Sequence, residues 1–537
     1  MPGDVAVRAS TYRWLVAGIV FGAGATAGLA LVVAGLIRGD APTTALGPPL
    51  MMAETAATGI DHVYDGDFNY FVGGGVAVFD CDDDGRPDLY FAGGAKPAAM
   101  YRNGSSAGGE LSFTPVEGPM EVTGVTGAYP IDIDSDGNID LVVLRVDENL
   151  VLRGLGDCRF EVANDRWNID GGNDWTVAFS ATWEQGQTLP TLVFGNYLVV
   201  EDSSDVDRTC ADSYLVRPDG DTYAPAVALA PGWCTLSALF SDWDRSGRRD
   251  LRLTNDRHYN RDGEEQLWRI EAGAPPRLYT RDEGWERLHI WGMGIASHDL
   301  TGDGLPEVYL TSQGDNKLQK LADGPARPTY EDIALPTGTN SPRPFVGDTT
   351  RPSTSWHPEF GDLNNDGFVD VFVTKGNVEA QPEFAAEDPN SLLLGQLDGT
   401  FVEVADQAGL LDFAHSRGAA LVDLDLDGLL DVVVVERREP VKLWRNVSEQ
   451  SGNWLAVGLE QEAPNRHAVG SWVQVRLGNV VLGREVTVGG GHAGGQLGRL
   501  HFGLGRAGKA DIRIQWPNGD VTPWTSFEAN QFITLRP

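Results

Sequence analysis

Acidic side chains recur at a fixed spacing in six short segments of this chain. The first segment reads Asp80-Cys-Asp82-Asp-Asp84-Gly85-Arg-Pro-Asp88. Each segment has an oxygen-bearing side chain at positions 1, 3, 5 and 9 and a glycine at position 6. Oxygen ligands at this spacing, bent around a glycine that can adopt positive φ, suit a hard cation such as Ca²⁺. The other five segments begin at Asp132, Asp242, Asp299, Asp362 and Asp423.

We predict that these loops bind about six structural Ca²⁺ ions, with position 7 contributing a backbone carbonyl. An EF-hand would need an acidic residue at position 12, where the chain has apolar residues that continue a strand. Hairpin-turn chemistry alone explains one such loop, but not six with the same positions filled. The predicted ligands are Asp80, Asp82, Asp84, Arg86 and Asp88; Asp132, Asp134, Asp136, Asn138 and Asp140; Asp242, Asp244, Ser246, Arg248 and Asp250; Asp299, Thr301, Asp303, Leu305 and Glu307; Asp362, Asn364, Asp366, Phe368 and Asp370; Asp423, Asp425, Asp427, Leu429 and Asp431.

The distances between the loops indicate a repeat architecture. The first aspartates are separated by 52, 110, 57, 63 and 61 residues, so one unit without an acidic loop is expected in the second gap. The segment from Trp175 to Gly195 repeats the strand, turn, strand pattern and places Ala181, Trp183 and Gln185 at ligand positions 1, 3 and 5. Seven β-rich units of roughly 50 to 60 residues favour a propeller. We predict an all-β, seven-bladed β-propeller followed by a small β domain.

The repeated loops resemble those of FG-GAP or VCBS-type repeats, as found in integrin α-subunit propellers. The C-terminal segment resembles an ASPIC/UnbV domain, through Asn465-Arg-His-Ala-Val-Gly470, Arg484-Glu-Val486, Arg499-Leu-His-Phe-Gly-Leu-Gly505 and Ile514-Gln-Trp516-Pro-Asn-Gly519. This order of domains is that of the cartilage acidic protein family. Two departures stand out: the third unit lacks its metal loop, and Ser246, Thr301 or Asn364 replaces the usual aspartate in three others.

The N-terminal region contains a segment long enough to span a membrane. Residues 14–37 carry no charge and are flanked by arginines on both sides, so we predict a transmembrane helix with a cytoplasmic N-terminus. A cleaved signal peptide is the alternative, in which case the protein is secreted. The predicted domains are a cytoplasmic tail (1–13), the anchor (14–37), a linker (38–57), the propeller (58–450) and the ASPIC/UnbV-like domain (451–537).

Charge and cysteine content indicate the class of partner and the cellular compartment. With 41 basic against 77 acidic residues, the net charge is −36, which argues against a nucleic-acid partner. Cys210 and Cys234 are predicted to form a disulfide, which an exported chain permits. Cys81 and Cys158 are interpreted as free, half-buried thiols. The propeller is therefore expected outside the cytoplasm, in the periplasm or at the cell surface.

Catalytic motifs are not evident in the sequence. The run Gly489-Gly-Gly-His492-Ala-Gly-Gly495 lacks the Lys-Ser/Thr of a phosphate loop, so we interpret it as a flexible loop between strands. His492 and His501 are interpreted as ordinary loop and strand residues. A ligand rim is predicted opposite the metal loops, with inter-blade packing as the alternative reading of its tryptophans. The rim candidates are Trp175, Trp291, Trp356 and Arg417.

Two classes of function agree with these features. The favoured one is a noncatalytic, extracytoplasmic calcium-binding propeller that acts as a binding or adhesion module for protein or glycan ligands. The alternative is an enzyme or accessory protein of extracellular polymer or secondary-metabolite chemistry. Fold alone does not separate these classes, because function resides in sites placed on the fold.

Overall fold

The computed structural model describes residues 44–200, 209–256, 262–340, 351–378, 384–385 and 388–537. The predicted membrane anchor, 14–37, lies outside these residues. Within the described ranges, no helix has both the length and the apolar composition to cross a membrane. The chain is all-β, and its α-helices over these ranges are single turns at Asn164–Trp167, Ala334–Thr337 and Ala405–Ala408. Four 3₁₀ turns lie at Thr55–Ala57, Phe68–Tyr70, Arg281–Glu283 and Gly324–Ala326.

Seven four-stranded antiparallel sheets follow one another between Met51 and Asn446. Runs rich in β-branched and aromatic residues form their strands. We number the sheets in chain order and give strands from the inner edge outward. They are sheet 1, Val76–Phe79, Asp88–Phe91, Ala99–Asn103 and Phe113–Val116; sheet 2, Val125–Ile131, Asp140–Arg145, Leu150–Gly154 and Phe160–Val162; sheet 3, Thr176–Thr182, Thr191–Asn196, Ser213–Val216 and Val227–Leu229; sheet 4, Thr235–Ser241, Asp250–Asn255, Gln266–Arg269 and Arg277–Leu278; sheet 5, Gly292–His298, Glu307–Ser312, Lys317–Leu321 and Tyr330–Asp332; sheet 6, Ser355–Gly361, Asp370–Lys375, Ser391–Gly395 and Phe401–Glu403; sheet 7, Ser416–Val422, Asp431–Glu436, Lys442–Asn446 and Met51–Ala53.

The inner strands connect the sheets into a closed series. Each inner strand contacts the inner strand of the next sheet, and that of sheet 7 contacts that of sheet 1. The outermost strand of sheet 7 is Met51–Ala53, which pairs antiparallel with Lys442–Asn446. This strand lies within the segment that the sequence analysis assigns to a linker. A segment preceding the first sheet therefore completes the last one.

The C-terminal domain contains two further sheets. In the first, Asn453–Leu459 pairs antiparallel with Leu500–Gly505 and parallel with Gln531–Leu535. The second has the order Val480–Glu485, Trp472–Leu477, Lys509–Gln515 and Thr525–Glu528. A two-stranded hairpin of Pro218–Asp219 and Thr222–Tyr223 projects from sheet 3. One apolar cluster runs through sheets 1 to 3 and into this domain, for example from Val142 to Leu497 and Val473.

Candidate metal-binding loops and the domain that covers them

The six acidic loops share one backbone conformation. The glycine at position 6 has φ between 84 and 97° in every loop. Its N–H donates to the position-1 carboxylate over 2.7 to 3.2 Å. The N–H at position 7 donates to the position-5 side chain over 2.8 to 3.4 Å. These position-7 residues are Arg86, Asn138, Arg248, Leu305, Phe368 and Leu429.

A second bend at position 4 was not foreseen from the sequence. Residues at this position have φ between 56 and 69° in all six loops. Only one of them is glycine, so residue type gives no warning of the left-handed conformation, which most side chains disfavour. The two bends together turn the chain back on itself, and in loop 2 the side chains at positions 1, 3 and 5 converge. The position-4 residues are Asp83, Ser135, Arg245, Gly302, Asn365 and Leu426.

The carboxylate at position 9 ties the hairpin to the third strand in sheets 1, 2, 6 and 7. In sheet 2, Asp140 accepts from the N–H of Ile133 over 2.7 Å and from the N–H of Gly154 over 2.9 Å. Asp88, Asp370 and Asp431 make the equivalent pairs of bonds. Position 9 therefore has a structural role that does not depend on a metal.

Several buried carboxylate oxygens in the loops have no hydrogen-bond partner. They include Oδ1 of Asp80, Asp132 and Asp299 and both oxygens of Asp425. An oxygen that is buried without a partner costs free energy unless a cation or donor meets it. In the loops with four carboxylates, three of those carboxylates offer oxygens within 4.8 Å of one another. These groups are Asp80, Asp82 and Asp88; Asp132, Asp134 and Asp136; Asp423, Asp425 and Asp431.

The electrostatics of the loops also fit a cation. Burial raises the pKa of Asp132 to about 7, and the neighbouring carboxylates of Asp136 and Asp134 add to the increase. Burial likewise raises the pKa of Asp299 to about 7, with Glu307 and Asp303 contributing. Clustered carboxylates repel one another, so a divalent ion would neutralise them. The side chains at positions 1, 3, 5 and 9 would hold it.

A basic residue on the third strand approaches most of the loops. In these sheets the basic residue directly follows the third-strand residue that pairs with position 10 of the loop. Arg153 Nε lies 2.9 Å from Asp134, Lys320 Nζ lies 3.2 Å from Asp303, and Arg445 Nη1 lies 3.6 Å from Asp425. Arg102 contacts Asp82 in the same way. These side chains offset part of the negative charge.

The fifth loop has no such basic residue. Leu394 occupies the third-strand position, and Asp362, Asp366 and Asp370 form no ion pair among the described residues. Burial raises the pKa of Asp362 well above its ordinary value, and the other two aspartates add to this effect. The loop is also closed from outside, because the N–H of Leu46 donates to Asp366 over 2.7 Å. Three enclosed carboxylates without a basic partner make this loop the one with most need of a cation.

In the third loop, by contrast, protein side chains already satisfy the position-9 carboxylate. The position-9 carboxylate of Asp250 accepts from Arg248 Nε over 2.9 Å, from Trp243 Nε1 over 2.9 Å and from the Tyr279 hydroxyl over 2.7 Å. These donors satisfy a carboxylate that the sequence analysis assigns to a metal. Together with serine at position 5, they make this loop the poorest in free ligand oxygens.

The unit without a metal loop is confirmed as a sheet, but its predicted alignment is wrong by two residues. Thr182 pairs with Thr191 in sheet 3, as Ile131 pairs with Asp140 in sheet 2. Positions 1, 3 and 5 are therefore Trp183, Gln185 and Gln187, rather than Ala181, Trp183 and Gln185. Gly186, taken for the position-6 glycine, is at position 4, where its φ of 84° meets the second bend.

A guanidinium occupies the place of a cation in this unit. Arg217, at the third-strand position of the basic residues described above, donates to Glu184 over 2.6 Å from Nε and 3.2 Å from Nη2. The Glu184 side chain is 6% exposed and that of Arg217 is 19% exposed, so the carboxylate is largely removed from water. Thr191, in the place of the position-9 aspartate, also donates to Glu184 over 2.7 Å.

The C-terminal domain covers all six loops. Arg499 donates to the carbonyl of Gly85 in loop 1, and the backbone N–H of Asn465 donates to the Ser135 hydroxyl in loop 2. In the opposite direction, Arg249 of loop 3 donates to the carbonyl of Gly470. Gly483 bridges to Asp299, the N–H of Gly452 donates to Asn364, and His501 Nε2 lies 3.1 Å from the carbonyl of Gly428. The loops thus form the docking surface of this domain.

The glycine-rich run of the domain enters the centre of the sheet series. The segment from Val488 to Gln496 bridges to inner strands of sheets 1 to 5, and the N–H of His492 donates to His357 of sheet 6 over 3.0 Å. The carbonyl oxygen of His492 lies beside Gly418 of sheet 7. We call residues 488–496 the plug. A Cβ on Gly127 would lie 1.9 Å from the carbonyl oxygen of Ala493, which explains the need for glycine there. The expectation of a flexible loop is wrong.

The predicted ligand rim is buried. Trp175 is 2% exposed, Trp356 is 1% exposed and Arg417 is fully buried. Trp175 packs against Phe68 at 5.7 Å between ring centroids, and the Arg417 guanidinium lies 4.3 Å from the centre of the Trp356 ring. Trp291 is half-buried against the same apolar cluster. The structure therefore favours the packing alternative.

All four cysteines are paired. Cys210 and Cys234 form a disulfide, as the sequence analysis expects. Cys81 and Cys158 also form a disulfide, so the free-thiol interpretation is wrong. Cys81 is at position 2 of loop 1 and Cys158 precedes the outer strand of sheet 2. Their contact joins neighbouring sheets and leaves no local signal in the sequence.

Comparisons with known proteins match both parts of the chain. An FG-GAP-like repeat model matches residues 80–143, 299–373 and 362–434, and a model described as ASPIC and UnbV matches residues 461–537. The third loop lies outside the matched repeats. Among solved structures, an Agrocybe aegerita lectin is 16% identical and covers 70% of this chain and 97% of its own, with a TM-score of 0.38. BBS1N, solved in complex with ARL6DN, is 11% identical and covers 74% of this chain and 98% of its own, with a TM-score of 0.42.

Curated relatives point to one family. Cartilage acidic protein 1 of Mus musculus is 24% identical over 483 residues, which cover 83% of this chain and 71% of the relative. Cartilage acidic protein 1 of Xenopus tropicalis is 33% identical over 85 residues, covering 16% of this chain and 12% of the relative. The chain is thus similar to cartilage acidic protein 1 over most of its length, and it contains FG-GAP-like repeats and a C-terminal ASPIC and UnbV domain.

Proposed function

We propose that the protein is an extracytoplasmic, calcium-dependent binding module without catalytic activity, and that its seven sheets are the blades of a seven-bladed propeller. Its ligand is a protein or a glycan. The observation that carries this proposal is the set of buried, partnerless carboxylate oxygens in loops that support the C-terminal domain. Ca²⁺ would neutralise these loops and hold the two parts of the molecule in one arrangement.

The cleft beside the metal-free loop is the proposed ligand surface. It has a volume of about 1320 Å³ and lies between that loop, loop 3 and the C-terminal domain. Its lining residues include Trp183, which is 8% exposed, Arg248, which also donates to Asp250, and Asn518, so it combines an aromatic residue, a guanidinium and an amide. Such a mixture suits sugars and polar protein surfaces. The buried rim of tryptophans does not offer a comparable surface.

A ligand screen in the presence and absence of calcium tests this function. We expect the full-length protein to retain a saturable ligand on a glycan array or in a pull-down with Ca²⁺, and to release it with chelator. Arg248→Ala should weaken this binding, whereas Arg159→Ala, an exposed change remote from the cleft, should not. Ligand capture that is unchanged by chelator would contradict calcium dependence. Turnover of a polymer would instead support the enzymatic alternative.

The proposed location follows from the disulfides and the N-terminal segment. Two disulfides imply an oxidising compartment, and residues 14–37 are proposed to anchor the protein in the membrane with the propeller outside the cytoplasm. The full-length protein should then stay with membranes after washing with carbonate or high salt, because screening charge does not reverse apolar insertion. A mature N-terminus beyond residue 37 would show a secreted protein instead.

A further inference from the structure

A cavity of about 680 Å³ separates the sheets from the C-terminal domain, and the plug forms part of its wall. Its apolar lining residues include Leu239 of sheet 4, Ile295 of sheet 5, Leu421 of sheet 7 and Val486 of the C-terminal domain. Its size is that of a small-molecule site, and its walls combine apolar side chains with polar groups that can fix the orientation of a ligand. Only polar groups that the protein does not already bind can orient a ligand in this cavity.

Arg484 has a guanidinium in this cavity that is not used by the protein. The side chain is half-buried and lines the cavity. Among the residues that the structure describes, no hydrogen bond or ion pair to it is present, although a guanidinium carries five N–H donors. Withdrawing such a group from bulk water without a partner costs free energy. An incoming anion would remove this cost.

Glu359 is the acidic group that acts on Arg484, but its own oxygens already have partners. Gln496 donates to Oε1, and the N–H of Leu421 donates to Oε2 over 3.1 Å. His357 Nε2 lies 3.3 Å from Oε2. The two charges lie beyond ion-pairing distance, so Glu359 lowers the local potential without pairing with Arg484.

The protonation of His357 follows from its two contacts. Its Nδ1 accepts from the N–H of His492 over 3.0 Å, so the ring proton must lie on Nε2. That N–H is directed at Glu359 and binds it rather than a ligand. His357 therefore fixes Glu359 in place, whereas all the guanidinium donors of Arg484 stay available to a ligand.

We propose that this cavity binds a small molecule with a carboxylate group and an apolar body. The planar fork of Arg484 would hold the two carboxylate oxygens, and the aliphatic walls would hold the body. The half-buried hydroxyl of Ser297 lines the same space and offers a further polar contact. A phosphate shares the oxyanion chemistry but has no apolar part to fill the remaining volume.

Titration calorimetry of the full-length protein in calcium-saturated buffer tests the proposal. Octanoate is the probe, with inorganic phosphate and octylammonium as comparison ligands. We expect octanoate to bind, Arg484→Gln to weaken it at least tenfold, and octylammonium not to bind. Arg476→Gln is the matched control, because Arg476 is on the adjacent strand, pairs with Asp511 and does not line the cavity.

Three results would overturn the proposal. Octanoate that binds equally well to the Arg484→Gln variant would place it elsewhere, and tighter binding of phosphate than of octanoate would exclude the apolar body. Absence of binding by either anion would exclude the site. A thermal melt without ligand gives an independent check: Arg484→Gln should keep or raise the melting temperature, whereas a clear fall would show that Arg484 is a structural partner. None of these readouts depends on the extracytoplasmic ligand proposed above.

Discussion

Arg217 donates two hydrogen bonds to the carboxylate of Glu184, at 2.6 and 3.2 Å, in the one sheet whose loop lacks aspartates. Arg102, Arg153 and Arg445, at the equivalent place in other sheets, approach aspartates of the metal loops. A basic residue on the third strand is thus common to loops with and without ligand aspartates. In sheet 3 this residue forms a complete pair, so charge neutrality there needs no ion.

Removing Arg217 should therefore destabilise the protein. Arg217→Met leaves the Glu184 carboxylate buried without its cation, which costs about 3 kcal/mol of the free energy of unfolding. Urea denaturation in saturating Ca²⁺ measures this loss. Arg159→Met is the matched control, because its pair with Asp157 is exposed and exposed pairs contribute little. Equal losses in the two variants would contradict the assigned role.

Calcium should bind the acidic loops and stabilise the fold. The wild-type protein, stripped with chelator and reloaded, should bind about six ions, and its melting temperature should rise with Ca²⁺ because the ion binds only the folded state. At a free Ca²⁺ concentration a hundred times the dissociation constant of a site, binding there adds about 2.7 kcal/mol to the free energy of unfolding. Near-zero stoichiometry by elemental analysis would contradict the prediction.

Single substitutions should locate the ions. Asp362→Ala should remove one ion and lower the stability strongly, because loop 5 has no basic side chain to offset its remaining carboxylates. Gln185→Ala should remove none, because sheet 3 has Arg217 in place of an ion. Equilibrium dialysis with radioactive calcium distinguishes these two variants. An unchanged ion count for Asp362→Ala would show that loop 5 is not a site.

The plug should depend on the glycines that it meets. In Gly127→Ala, the added Cβ would lie 1.9 Å from the carbonyl oxygen of Ala493. Forcing this contact should cost about 1 to 3 kcal/mol and increase protease cleavage within residues 488–496. Gly498→Ala is the control, because no atom lies within 4 Å of its added Cβ. Limited proteolysis followed by mass spectrometry reports both variants, and equal cleavage would contradict the packed plug.

Stability should fall as the pH rises, in part through Glu436. Burial raises the pKa of this residue to about 8, with Asp412 contributing, while the Ser416 hydroxyl opposes the increase. The unfolded chain loses this proton near the ordinary pKa of glutamate, about 4.3. The folded state thus holds one more proton between these values, and its stability is lost as the pH rises through that window.

Glu436→Gln should remove this contribution, because glutamine mimics the protonated acid. Urea denaturation at pH 5 and pH 8 in saturating Ca²⁺ gives the comparison. The variant should lose less stability between the two pH values than the wild-type protein does. The same loss in both proteins would show that Glu436 is already ionised in the folded state.

Trp356→Ala should act on stability rather than on ligand binding at a rim. The ring is buried between the His492 ring, 5.0 Å away, and the Arg417 guanidinium. Deleting a buried aromatic side chain costs about 3 to 5 kcal/mol. Thermal and urea denaturation measure this loss. Loss of a ligand with an unchanged melting temperature would instead restore the rim hypothesis.

Local patterns in the sequence predicted the elements, and distant contacts decided what they do. The spacing of aspartates predicted six loops and a seventh sheet without one, because ligand positions and strand pairing are local. Gly186 misled the alignment of sheet 3, because a glycine suits the bend at position 4 as well as that at position 6. The Cys81–Cys158 disulfide and the burial of Trp175 depend on neighbouring sheets, so no local signal exists for them.

The covered loop face is the other feature that sequence could not reveal. The glycines of the plug were interpreted as a flexible loop, but they contact inner strands of the sheets, more than a hundred residues away in the chain. Glycine-rich composition is typical of flexible segments. Here it allows close backbone contact, which only the packed structure shows.

The pairing of Met51–Ala53 with Lys442–Asn446 sets an order for biosynthesis. The early strand has no partner until the ribosome has added about 400 more residues, which at common rates takes roughly 20 to 80 s. During this time sheet 7 is incomplete, and the first and last sheets are not yet joined. The plug is translated later still, so it must enter a nearly finished molecule. A nascent chain of this protein therefore passes through a long interval with one exposed strand and an unfilled centre, in which it is most in need of chaperones.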